Sequence, residues 1–166
     1  MTDNNLKEKY NKLLQTEMYK EFIEHHPDYK LSHFFFVYEN NNFIDQQIGF
    51  YSKKDDKVVS FDLLKHMVSK PEDAMKKGGI IPSFDVNDVK TGIDEALKIS
   101  KDIQEENYSP HTPNKHICIL QMLEDILTWN ITIITSTMHI VNIKINASNS
   151  KVLKHSAKPI MSLAKE

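Results

Sequence analysis

An α+β fold is predicted for this chain of 166 residues, and three observations predict it. A helical apolar stripe is followed by alternating, strand-like segments. The same order then occurs a second time. Segments containing proline and glycine separate the pieces. The expected architecture is a tandem repeat, each unit one helix packed on an antiparallel β-meander. The expected boundaries are residues 1–64 for the first unit, 65–86 for a connector and 87–166 for the second unit. Units of this size bury too little surface to be stable alone, so the two are expected to pack as one body.

The first helix is expected over residues 4–26. Leu6, Tyr10, Leu13, Leu14, Met18, Phe22 and Ile23 recur there at helical steps, with Lys and Glu on the other face. Pro27 ends it. Residues 31–38 read as a strand with Phe34, Phe36 and Tyr38 on one face and His33, Phe35 and Val37 on the other. Both faces are apolar there, which calls for a cover on the second face, from the other unit or from another subunit. Residues 39–45, which hold Asn40, Asn41 and Asn42, read as a turn. Strands at 46–52 and 57–63 flank a polar loop, with Val59 and Phe61 inward. The connector holds Pro71, Gly78, Gly79 and Pro82 and is expected to be extended, with one helical turn at 72–76. Thr91 is the expected N-cap of a second helix, with Ile93, Ala96, Leu97, Ser100 and Ile103 as its stripe. Pro110 and Pro113 make 108–114 a loop. Strands are expected at 115–122, 127–135, 138–146 and, briefly, 151–155. The tail beyond carries no pattern.

Several of these segments also resemble a known family. The stretch TGIDEALKIS at 91–100 is similar to the helix opening of a PepSY domain, where a Ser or Thr cap precedes acidic residues and an alanine. TWNITI at 128–133 resembles that family's tryptophan-bearing strand. IVNIKINASNSKVL at 140–153 resembles its ending, a strand, a polar turn and a short strand. The family has Asp and Gly in that turn. Here Asn146 and Ser150 stand in those places, with Asn149 suited to the left-handed conformation. QIGFYSKKDDKVVSF at 47–61 has the same form in the first half and is more diverged. The resemblance implies a cystatin-like α+β fold, no catalytic apparatus, and a role in binding or inhibition, often of peptidases. The family's frequent setting at the cell envelope is not expected here, because no apolar leader follows the polar residues at 1–9.

Composition narrows the chemistry. The 21 basic residues are all lysine, against 23 acids, for a net charge of -2. A chain without arginine holds no bidentate guanidinium clamp for phosphate or carboxylate. It also lacks the basic surface of a general nucleic-acid binder, so no nucleic-acid partner is expected. Apolar residues at 40% and charged residues at 27% describe an ordered globular chain. No apolar stretch is long enough to span a bilayer, and the cytoplasm is the expected setting. Residues 85–106 carry seven acids against three lysines, and 107–166 six lysines against three acids. This is read as an acidic helix face beside a lysine-bearing sheet, or as one side of an interface between protomers.

Chemistry-bearing residues are sparse. Cys118 is expected to be a small core hydrophobe; a nucleophile would need a base, and His116 shares its strand face. His25 and His26 are adjacent, so their side chains diverge by about 100° on a helix and do not form a ligand pair. His111 and His116 have no further ligand at metal spacing. His139 shares a face with Val141, Ile143 and Ile145 and is expected to be partly buried. Gly78-Gly79 does not open a phosphate loop. No metal, cofactor or catalytic residue is therefore assigned. The expected function is a non-enzymatic module that binds, and in one version inhibits, a protein or peptide. Its interaction surface is placed at Phe34, Phe36, Tyr38 and Trp129, although Trp129 in a strand is most simply core. Two alternatives are carried: a small enzyme using His116 with Glu124 or Asp125, and a self-associating structural protein acting as a homodimer.

Overall fold

The apolar stripe that opens the chain folds as two helices, α1 (Leu6–Leu14) and α2 (Glu17–His25), and not as the single helix expected over 4–26. The structure, a computed structural model, describes residues 5–74 and 79–165. Thr16 makes the break. Its hydroxyl donates to the Leu13 carbonyl at 2.7 Å and accepts from the Tyr19 N–H at 3.2 Å. One side chain thus closes α1 and caps α2, the local bonding by which threonine competes with a continuing helix. After the break, Tyr19 and Phe22 reach the Phe61 ring, at 5.8 and 5.5 Å between centroids.

Strands β1 (Tyr29–Glu39), β2 (Asn42–Ser52) and β3 (Lys57–Asp62) form a meander. The β1–β2 turn places Asn40 and Asn41 at φ of 52° and 62°, the left-handed conformation that asparagine tolerates in a two-residue hairpin. The connector contributes β4 (Met67–Val68) and β5 (Glu72–Asp73), both against β3. The helical turn expected at 72–76 is therefore strand at its start, and 75–78 lie outside the described residues. A 3-10 turn at Val86–Asp88 leads to α3 (Ile93–Tyr108). A second meander follows: β6 (Pro113–Leu123), β7 (Ile126–Thr135), β8 (His139–Asn146) and β9 (Val152–Pro159). Strand β6 begins inside the expected 108–114 loop, and β9 extends well past the expected 151–155.

The expected N-cap is also displaced. Gly92 holds the cap position of α3 and makes no side-chain cap bond. Thr91 is used otherwise: its N–H donates to Ala147 O at 2.8 Å, its carbonyl accepts from Trp129 Nε1 at 2.8 Å, and its hydroxyl lies 2.7 Å from Ser150 Oγ. Ser150, not Asn149, takes the left-handed φ, at 65°.

All strand pairs are antiparallel and form one sheet in the order β4-β3-β2-β1-β6-β7-β8-β9, with β5 also on β3. The two meanders join through their first strands, with Phe34 opposite Leu120, Phe36 opposite Cys118 and Tyr38 opposite His116. The helices lie on one face of this sheet. Phe34, Phe36, Ile48, Phe61, Trp129 and Ile143 on that face are each 0% exposed. Burying each such side chain contributes roughly 1.5–3 kcal/mol. The opposite face carries half-buried Phe35, Ile117, Ile119 and Ile134, and the described helices do not supply the cover expected for it. The chain is thus an α+β fold of three helices on a large antiparallel sheet.

Candidate functional site

The expected interaction surface at Phe34, Phe36 and Trp129 is corrected by burial. All three are 0% exposed beneath the helices, and Phe36 and Trp129 lie 6.2 Å apart within the core. Strand alternation distinguishes two faces but does not say which one is covered, and these rings are on the covered face. Tyr38 alone reaches a surface. It sits near the open end of β1, with Lys101 Nζ 5.1 Å from its ring centroid.

His116 faces inward on β6, is 5% exposed and meets Tyr38 edge-on at 5.9 Å. Burial, followed by the nearby Lys101 charge, pulls its pKa down to about 4, so the imidazole is neutral at neutral pH. The structure does not bring it to the carboxylates proposed for an enzyme. Glu124 and Asp125 form the β6–β7 turn, at φ of 49° and 66°. They lie eight and nine residues beyond His116, at the far end of β6, so Glu124 is about 26 Å along the strand at ~3.3 Å per residue. Cys118 is 0% exposed, and burial pushes its thiol up to about 12, which disfavours the thiolate a nucleophile needs. His139 is half-buried as expected, with Nδ1 3.0 Å from the Thr137 carbonyl and its ring stacked on His111 at 4.0 Å. No group of three or more His, Cys, Asp or Glu among the described residues is arranged to hold a metal.

The two sheet edges differ. At one end, β3 is covered by β4 and β5, and the Ser69 N–H and hydroxyl bond the Ser60 backbone at 2.8 and 2.9 Å. At the other end, β9 is the last strand of the sheet, and all eight of its residues are exposed. The Ile160 N–H donates to Met138 O at 2.9 Å. Alternation from that bond turns Lys158, Ser156 and Lys154 toward the β8 ladder. It leaves the N–H and C=O groups of Ala157 and His155 directed at the free edge. Pro159, which has no N–H, falls on the same outward phase. Lys151, Lys154 and Lys158 make this edge basic, with no acid in 151–159. The His155 ring is held in place by the Tyr108 hydroxyl, 2.7 Å from Nδ1.

Two residues of α3 beside Tyr38 and His116 carry a weaker signal in the sequence. Gln104 looks like one more polar residue of an acidic helix, yet it is 2% exposed. It lies four residues after Ser100 and seven after Leu97, on the buried stripe, and that spacing is the signal. Lys101 follows the stripe by one residue and is aimed at Tyr38.

No known family model matches this chain, and no curated protein matches it in sequence. Among solved structures, the crystal structure of a candidate lipoprotein from Clostridium difficile 630 superposes with a TM-score of 0.54. Identity is 15%, and the match covers 94% of this chain and 100% of that chain. This likeness concerns the fold alone. No helix among the described residues is long and apolar enough to cross a membrane.

Proposed function

We propose that this protein is a non-enzymatic binding module that captures an extended acidic peptide segment along β9. The supporting observation is the eight-residue exposed edge, with the outward backbone groups of Ala157 and His155 between lysines. An added strand gains main-chain hydrogen bonds from such an edge, and alternate side chains supply selectivity. Acidic side chains opposite Lys154 and Lys158 add favourable cross-strand pairs. A second copy of this chain is a poorer occupant, because β9 against β9 sets lysine against lysine. The helix-then-meander order of each half, with the PepSY-like segments around Thr91 and Trp129, supports carrying the tandem cystatin-like repeat within the same proposal. The separation of His116 from Glu124 and Asp125 removes the motivation for the enzymatic alternative as framed.

The test is fluorescence anisotropy with a labelled peptide of alternating glutamate and valine, beside its lysine and valine counterpart. Saturable binding of the acidic peptide, weakened by salt, is expected. Ala157→Pro removes one outward N–H without touching the β8 ladder, and should abolish binding while leaving the protein folded. Equal binding of both peptides, binding that survives in A157P, or a wild-type dimer dispersed by A157P would contradict the proposal.

A further inference from the structure

Lysines on an edge strand guard it against unwanted pairing, which accounts for Lys154 and Lys158 on β9. It does not account for Lys144, which sits on the interior strand β8 directly opposite Lys154. Val141, Ile143 and Ile145 of β8 are each 0% exposed beneath the helices, so alternation turns Lys144 to the other face of the sheet. Lys154, its cross-strand partner, projects from that same face. Like charges set directly opposite one another in a sheet are destabilising. Nothing nearby on this face offsets them. Strands β7, β8 and β9 contain no aspartate or glutamate. Neither lysine forms an ion pair among the described residues. Their neighbours are neutral: Asn130 lies opposite Lys144, and Thr132, Asn142 and Ser156 make the next row. Lys158 differs, because Ile140 is its cross-strand partner. The Lys144 and Lys154 pair therefore calls for two negative charges at one place, and Lys158 for one.

A strand added to β9 brings one side chain to that place. The residue opposite Lys154 projects from the same face as the two lysines. Its backbone lies ~4.8 Å from β9 and about 9.6 Å from β8, intervals that an extended lysine and an extended acidic side chain span together. Lys154 turns its backbone groups to β8. In an antiparallel addition, the arrangement of every other pair in this sheet, its new partner is a non-hydrogen-bonded one, the kind with the closest side chains. Glutamate there supplies one charge and two acceptor oxygens, which leaves one lysine unmatched. A phosphoryl group supplies about −1.5 to −2 in charge and three acceptor oxygens, enough for charge-assisted bonds from both ammonium groups. We propose that the peptide captured along β9 is phosphorylated, with a phosphoserine or phosphothreonine opposite Lys154 whose phosphoryl group is held between Lys154 and Lys144. A carboxylate is sufficient opposite Lys158, four residues along. This inference rests on the β9 peptide reading and narrows its ligand class.

The test uses three forms of the alternating glutamate and valine peptide, with serine, glutamate or phosphoserine at the central acidic position. Each is titrated by fluorescence anisotropy at matched ionic strength. The phosphoserine form is expected to bind about tenfold tighter than the glutamate form, and the serine form most weakly. Lys144→Met should erase the phosphoserine advantage and leave the affinity for the glutamate form nearly unchanged, because Lys154 still meets the carboxylate. Lys158→Met should weaken both acidic forms alike and keep the advantage. That contrast separates a seated phosphoryl group from general attraction to added charge. K144M relieves a like-charge pair, so urea unfolding should find it at least as stable as the wild type. No saturable binding of any form overturns the peptide reading and this inference together. Saturable binding of the glutamate form with no phosphoserine advantage, or an advantage that survives in K144M, overturns this inference alone.

Discussion

Gly49 and His33 face each other across β1 and β2, and the pair explains why a glycine sits in a central strand. A Cβ built on Gly49 would fall 1.8 Å from His33 Cε1, so the imidazole occupies the space of the missing side chain. Gly49→Ala should therefore expel the ring and destabilise the protein by about 1–3 kcal/mol. His33→Ala combined with G49A should recover part of that loss in a double-mutant cycle read by urea unfolding. Additive losses would contradict the account. Both His33 and His116 are held at a pKa of about 4, chiefly by burial, against 6.5 unfolded. The unfolded chain thus binds these protons first. The associated stability is complete above about pH 6.5 and is lost as pH falls toward 4, on the order of 3 kcal/mol for His116 and less for the more exposed His33. Unfolding at pH 7.5 and pH 5 should show that H116F loses less stability on acidification than the wild type.

At the scale of elements, Thr16 decides that the N-terminal stripe is two helices. Thr16→Ala removes the cap of α2 and should lower stability by about 1 kcal/mol, measured by thermal or urea unfolding. No loss would mean that packing of Tyr19 and Phe22 alone sets the break. The break was hidden in the sequence because Leu13, Leu14, Met18 and Phe22 keep helical phase through it. The full length of β9 is hidden in the sequence for a related reason. Its residues are exposed on both faces, so burial imposes no alternation on Lys154 to Pro159, and only pairing with β8 defines it. The core strands were legible because one covered face writes a period of two into Phe34, Phe36, Trp129 and Ile131.

Over the whole molecule, the sequence specified an α+β chain of helices and meanders. It did not specify that β1 would pair with β6. That contact joins residues 76 to 88 positions apart, and nothing in the alternation of either strand names its partner. The same gap misplaced the interaction surface. Until the helices are known to cover the Phe36 and Trp129 face, a core ring and a ligand platform look alike. Once the sheet is assembled, its blunted β3 edge and open β9 edge separate a protected end from an available one. Hydrogen exchange at the Ala157 and His155 amides tests that distinction most directly, with and without the alternating glutamate and valine peptide. Fast exchange is expected in the free protein, with marked slowing when the peptide is bound. Slow exchange in the free protein, or no change on adding the peptide, would contradict it.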